Sequence, residues 1–100
     1  MSPLRIAGLG HVFAVSGERG KAQAVLSELK ELSEERYVSP YDIAVVYSGL
    51  GDEDQTVRWL ERTYHEDRGS MATISVEPMF DSIRSDARFK DLAHRVGLPQ

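Results

Sequence analysis

The segment Ser39–Tyr64, SPYDIAVVYSGLGDEDQTVRWLERTY, reads as two amphipathic helices joined by a tight turn at Gly49-Leu50-Gly51. Ser39-Pro40 opens the first helix. The hydroxyl suits capping of free N–H groups, and the proline is preset for a first helical turn. Asp42 stands three residues after Ser39, the spacing of a capping box with Asp in place of Glu. Ile43, Val46 and Tyr47 repeat at helical spacing and make one apolar stripe. Gly51 supplies the positive φ of a helix exit. Asp52 caps the second helix with Gln55 at the capping-box position, and Val57, Trp59, Leu60 and Tyr64 form its apolar side.

Upstream, Ser2-Pro3 caps a helix expected to run to Val15 and apolar on most sides, with Leu4, Ile6, Leu9 and Phe13 among small residues. Residues 16–20 are a turn. A second helix is expected from Lys21 to Arg36, with Ala22, Val25, Leu26, Leu29 and Leu32 on one stripe. Its Glu28, Lys30, Glu31, Glu34 and Glu35 read as a solvated face. Downstream, Met71–Val76 reads as a brief arm of a third hairpin. Pro78 stops regular helix, and residues 79–84 form a turn presenting Phe80 and Ile83 inward. Ser85 is expected to cap a last helix from Asp86 to Val96, with Phe89, Leu92, Ala93 and Val96 on one stripe and Gly97 ending it.

A shift of 34 residues sets Leu9 on Ile43, Gly10 on Ala44, Val12 on Val46 and Phe13 on Tyr47. It also sets Gly17 on Gly51, Glu18 on Asp52, Val25 on Trp59 and Leu26 on Leu60. Size, aromaticity and turn chemistry all keep register. A small residue at Gly10 or Ala44 lets a partner helix approach closely, and the aromatic at Phe13 or Tyr47 fills the space within a unit. The period, with a helix–turn–helix in each unit, is that of tetratricopeptide repeats. Thr56 stands where a small residue is usual, and Glu34 and Arg68 replace the proline expected late in each unit.

The chain resembles the C-terminal part of tetratricopeptide regions in bacterial regulatory proteins. The resemblance is carried by RYVSPYDIAVVYSGLGD, QTVRWLERTY and EPMFDSIRSDARFKDLAHRVGLP, the last resembling the segment that closes such arrays. It implies an all-α, right-handed helical-hairpin solenoid in one domain, with repeats at 3–36 and 37–70. A degenerate capping segment at 71–100 would present a polar outer face. Related arrays stand behind kinase, cyclase or winged-helix domains, none of which lies in these residues. What carries over is a fold and a protein-interaction role.

If the units stack as the resemblance implies, the first helix of each lines a concave surface. Its candidate partner-binding residues are His11, Val15, Tyr41, Asp42, Val45 and Ser48. The expected ligand is a protein or peptide held in that groove. The Lys, Asn and Arg set by which some relatives clamp acidic chaperone tails is missing, since Ala7, His11 and Asp42 occupy the corresponding helix faces. The alternative is self-assembly into a homo-oligomer through the first helix, because an apolar surface on that scale marks an interface.

Enzymatic chemistry finds no footing. Val15–Ala22 lacks the first glycine and the Ser or Thr of a phosphate loop. Gly8-Leu9-Gly10 has no third glycine and no preceding strand, against a dinucleotide site. His11, His65 and His94 share no helix face and have no cysteine to complete a metal set. Asp52-Glu53-Asp54 lies in a helix first turn, where negative charge is favoured. Trp59 falls on the packing stripe. Arg84, Arg88, Lys90 and Arg95 alternate with Asp81, Asp86 and Asp91, as a solvated face does. No catalytic residue, metal or cofactor is expected. The net charge of −4 argues against a general binder of nucleic acid or anionic membrane. The apolar runs are far shorter than the roughly 20 residues of a membrane span. Absence of cysteine fits a reducing compartment, and a cytoplasmic location is expected.

Overall fold

A computed structural model describes residues 3–72 and 74–97. Among these, five α-helices and two 3₁₀ helices occur and no strand: α1 (Pro3–Val15), α2 (Arg19–Leu32), α3 (Pro40–Leu50), α4 (Glu53–Glu66), the 3₁₀ helices Arg68–Met71 and Pro78–Ile83, and α5 (Ala87–Gly97). None of the described helices is long and apolar enough to cross a membrane.

The α3–α4 hairpin forms where its caps place it. Ser39 Oγ accepts from the Tyr41 N–H at 3.3 Å, with Pro40 in the first turn. Helix α3 runs through Gly49, so the turn is shorter than the Gly49–Gly51 expected. Gly51 ends it in the left-handed region at φ 76°, and its N–H bonds back to Ser48 O. Asp52 Oδ1 then accepts from Gln55 N at 3.1 Å and starts α4.

Two other boundaries move for local reasons. Helix α2 stops at Leu32, short of Arg36, because the Ser33 hydroxyl bonds the Lys30 carbonyl while Glu34 and Glu35 make short-range bonds to Glu31 and Leu32. At α5 the cap is Asp86 and not Ser85: Asp86 Oδ1 accepts from Arg88 N at 2.8 Å. The proposed Ser2 cap lies outside the described residues.

Helix α1 packs on α2 and α3, α2 also touches α3, and α3 packs on α4. Helix α4 then contacts Arg68–Met71 and α5, while α3 contacts Pro78–Ile83. The closeness of the α1–α2–α3 junction depends on Gly10. A Cβ there would stand 2.7 Å from Val25 Cγ1 and 3.0 Å from Val46 Cγ2. One core runs through all the helices, from Ile6 and Ala7 through Leu29, Val45 and Leu60 to Phe89 and Leu92.

The expected third arm at Met71–Val76 is instead a 3₁₀ turn followed by irregular chain, Thr73 lying outside the described residues. Pro78 does not simply stop helix. It begins the 3₁₀ helix Pro78–Ile83, which buries Phe80 and Ile83 completely, as their inward placement required. Each such side chain contributes about 1.5–3 kcal/mol of burial. Arg84 holds this segment closed: its guanidinium donates to Ser75 O, to Glu77 O at 2.8 Å and to Asp81 Oδ1 at 2.8 Å.

Candidate functional site

The six residues expected on an open concave surface meet different fates. Val15 is 62% exposed, His11 is half-buried, and Tyr41, Asp42, Val45 and Ser48 are buried. What covers this side of α3 is the chain itself, through Pro78–Ile83. Ser48 Oγ donates to Met79 O at 2.7 Å, and Ser82 Oγ donates to Ser48 O at 2.8 Å. The same Met79 oxygen accepts from His11 Nε2 at 3.2 Å, which sets the proton on that ring nitrogen. The Tyr41 ring meets Phe80 edge-on with centroids 5.5 Å apart. An open groove at Tyr41, Asp42, Val45 and Ser48 is therefore corrected: all four are buried, and an internal segment anchored by two fully buried side chains packs on Tyr41 and Ser48.

Burial raises two polar groups in the first turn of α3, Tyr41 and Asp42. The Asp42 carboxyl is raised to about 6, first by desolvation and then by the negative charge of Asp67. Tyr41 is raised to about 12 by burial, with Glu77 and Asp42 adding to it. Asp67 is lowered because it accepts from Ser70 Oγ at 2.7 Å and Ser39 Oγ at 2.8 Å. The bond from Ser39 ties the start of α3 to the end of α4. Ser48 Oγ donates to a backbone carbonyl, and Ser39 Oγ donates to the Asp67 carboxylate. No group of three His, Asp or Glu among the described residues is placed to hold a metal.

The exposed apolar surface lies elsewhere. On α1, Leu4 is 56%, Leu9 45%, Val12 56% and Val15 62% exposed. At about 100° per residue, Leu4, Val12 and Val15 fall in a sector about 80° wide, with Leu9 about 60° beyond it. The opposite side of α1, through Ile6, Ala7, Gly10 and Ala14, is buried. Sequence reasoning saw α1 as apolar nearly all round. It missed which stripe the neighbours leave uncovered, because the stripe given to α2 and α3 is composed partly of Ala and Gly. Beside the outer stripe, Ile6 and Leu32 share a shallow depression of about 360 Å³ with Glu28, Glu31, Glu35 and Arg36. Met79 and Ser82 were also missed. The available signal was Pro78 followed by apolar residues at Phe80 and Ile83, the pattern of a turn that packs inward.

Comparison with known proteins adds no relative: no protein-family model, curated protein or solved structure matches the chain.

Proposed function

We propose that the chain is a non-catalytic protein-interaction module of tetratricopeptide type, a right-handed stack of helical hairpins that docks a protein partner on the outer face of α1. The repeat reading is supported by residues 34 apart that touch in space: Ser48 meets Ser82, and Arg95 donates to Glu61 at 2.7 Å. The order of helix contacts, each hairpin packing on the next, suits such a stack. The docking reading is carried by one observation, the four large apolar side chains of α1 that no other part of the described chain covers. A bacterial, cytoplasmic setting belongs to the same proposal.

The test is affinity capture with partners identified by mass spectrometry, comparing wild type with L9S/V12S and with S48A. The outer-face reading expects partners to be lost from L9S/V12S and retained by S48A, with L9S/V12S unfolding at the wild-type temperature. Partners retained by L9S/V12S would overturn it.

A further inference from the structure

We infer that the outer face of α1 receives a helical hairpin of a partner protein, stacked on α1 as the α1–α2 hairpin is stacked on α3. This rests on the interaction-module reading and adds the form and surface chemistry of the partner.

The exposed residues of α1 recur along the chain at a spacing of 34, where Leu4, Leu9, Val12 and Val15 become Val38, Ile43, Val46 and Gly49. The four on α1 are between 45% and 62% exposed, whereas Val38, Ile43 and Val46 are buried. Helix α1 is what meets this part of α3. Val46 Cγ2 lies 3.0 Å from where a Cβ on Gly10 would stand, and a Cβ on Gly49 would stand 2.9 Å from Ala14 Cβ. A further step of 34 from Val46 and Gly49 reaches Phe80 and Ile83, both completely buried in the segment that packs on α3. The surface that is covered at its second and third occurrences therefore stands open at its first.

The covered occurrence defines what fits the open one. Helix α1 approaches α3 with small residues one turn apart, Gly10 and Ala14. Helix α2 adds a second contact, Lys30 donating to Tyr47 OH at 3.1 Å. Leu9, Val12 and Val15 spread over about 120° of the α1 surface, which suits two helices side by side. Val15 stands where α3 has Gly49, so its side chain takes up the room that Ala14 Cβ uses in the internal contact. The partner hairpin accordingly carries a small residue opposite Val12 and, one turn on, glycine opposite Val15. Arg5, exposed on the same side, aligns with Ser39, the cap residue just ahead of α3, and stands at the margin of the contact. A second copy does not offer this surface, since its Gly10 and Ala14 are already covered by its own α3.

The experiment lengthens the full chain by one unit: a copy of residues 3–36 carrying A14G is placed directly before Pro3, which keeps the spacing of 34. L9S/V12S in the original α1 should leave the unfolding temperature of the unlengthened chain unchanged. In the lengthened chain it should lower that temperature by roughly 10 °C, as when two apolar side chains have become buried. With A14L in place of A14G in the added unit, overpacking against Val15 should remove this dependence. Equal tolerance of L9S/V12S in the lengthened and unlengthened chains would overturn the stacked hairpin. The docking face itself would still stand if affinity capture lost its partners in L9S/V12S. Sensitivity as large with A14L as with A14G would overturn the small-residue chemistry of the partner. A wild-type dimer in light scattering that L9S/V12S converts to monomer would assign the face to a second copy and overturn the inference.

Discussion

Ser82 donates a hydrogen bond to the backbone oxygen of Ser48 at 2.8 Å, and Ser48 returns one to the neighbouring Met79 oxygen at 2.7 Å. These two bonds, spanning 34 and 31 residues, fix Pro78–Ile83 against α3. Ser48 is completely buried, so S48A removes a donor where water does not replace it. The expected loss is about 1–3 kcal/mol, read as a fall in unfolding temperature of about 4–8 °C for each kcal/mol in a chain of this size.

Two glycines of α1 should respond in opposite directions to the same change. G10A drives a Cβ to 2.7 Å from Val25 Cγ1 and 3.0 Å from Val46 Cγ2, and overpacking of this kind costs roughly 1–3 kcal/mol. At Gly8 an added Cβ meets nothing within 4 Å. G8A therefore gains only the helix propensity of alanine, roughly 0.5–1 kcal/mol of stabilisation. Denaturant midpoints of the two variants should fall on opposite sides of wild type.

The buried Asp42 makes stability depend on pH with a defined sign. Its folded value of about 6 lies above the ordinary 3.8, so the folded state holds the proton more tightly. The contribution is fully favourable below the unfolded value and is lost as pH rises from about 4 through 6. D42N should leave stability near wild type at acid pH and raise it at neutral pH by about 1–3 kcal/mol. Asp67 works in the reverse sense, since its lowered value favours the folded state as pH rises. Unfolding curves for wild type and D42N across this range should diverge toward neutrality.

The cover over α3 should behave as core. F80A empties a fully buried aromatic site and should cost about 3–5 kcal/mol, a large share of the stability of a small domain. R84M removes the guanidinium that ties Ser75, Glu77 and Asp81 together. It should leave the helices intact while speeding limited proteolysis between residues 72 and 84.

The α3–α4 hairpin was legible because Ser39-Pro40, Gly51 and Asp52 each have one strong local preference and the fold agrees with all of them. The all-helical class followed from the same periodicity, as did the inward placement of Phe80 and Ile83. The end of α2 was not legible, since Ser33 competes for the Lys30 carbonyl by a side-chain bond that periodicity does not register. Nor was the burial of Tyr41, Asp42, Val45 and Ser48. Their spacing describes an exposed or a covered face equally well, and the covering segment lies about 30 residues downstream without helical period. For Glu28, Glu31 and Glu35 the solvated reading holds for each carboxylate alone. Their position beside an uncovered apolar stripe depends on how α1 and α2 pack.

Backbone-amide chemical-shift mapping on titration with a synthetic amphipathic helix bearing a leucine stripe locates the docking face most directly. The prediction is a set of perturbed amides along the outer stripe of α1, at Leu4, Leu9, Val12 and Val15, with Tyr41, Val45 and Ser48 unmoved. Perturbation centred on Tyr41, Val45 and Ser48 with a silent α1 would contradict it and return the binding surface to α3.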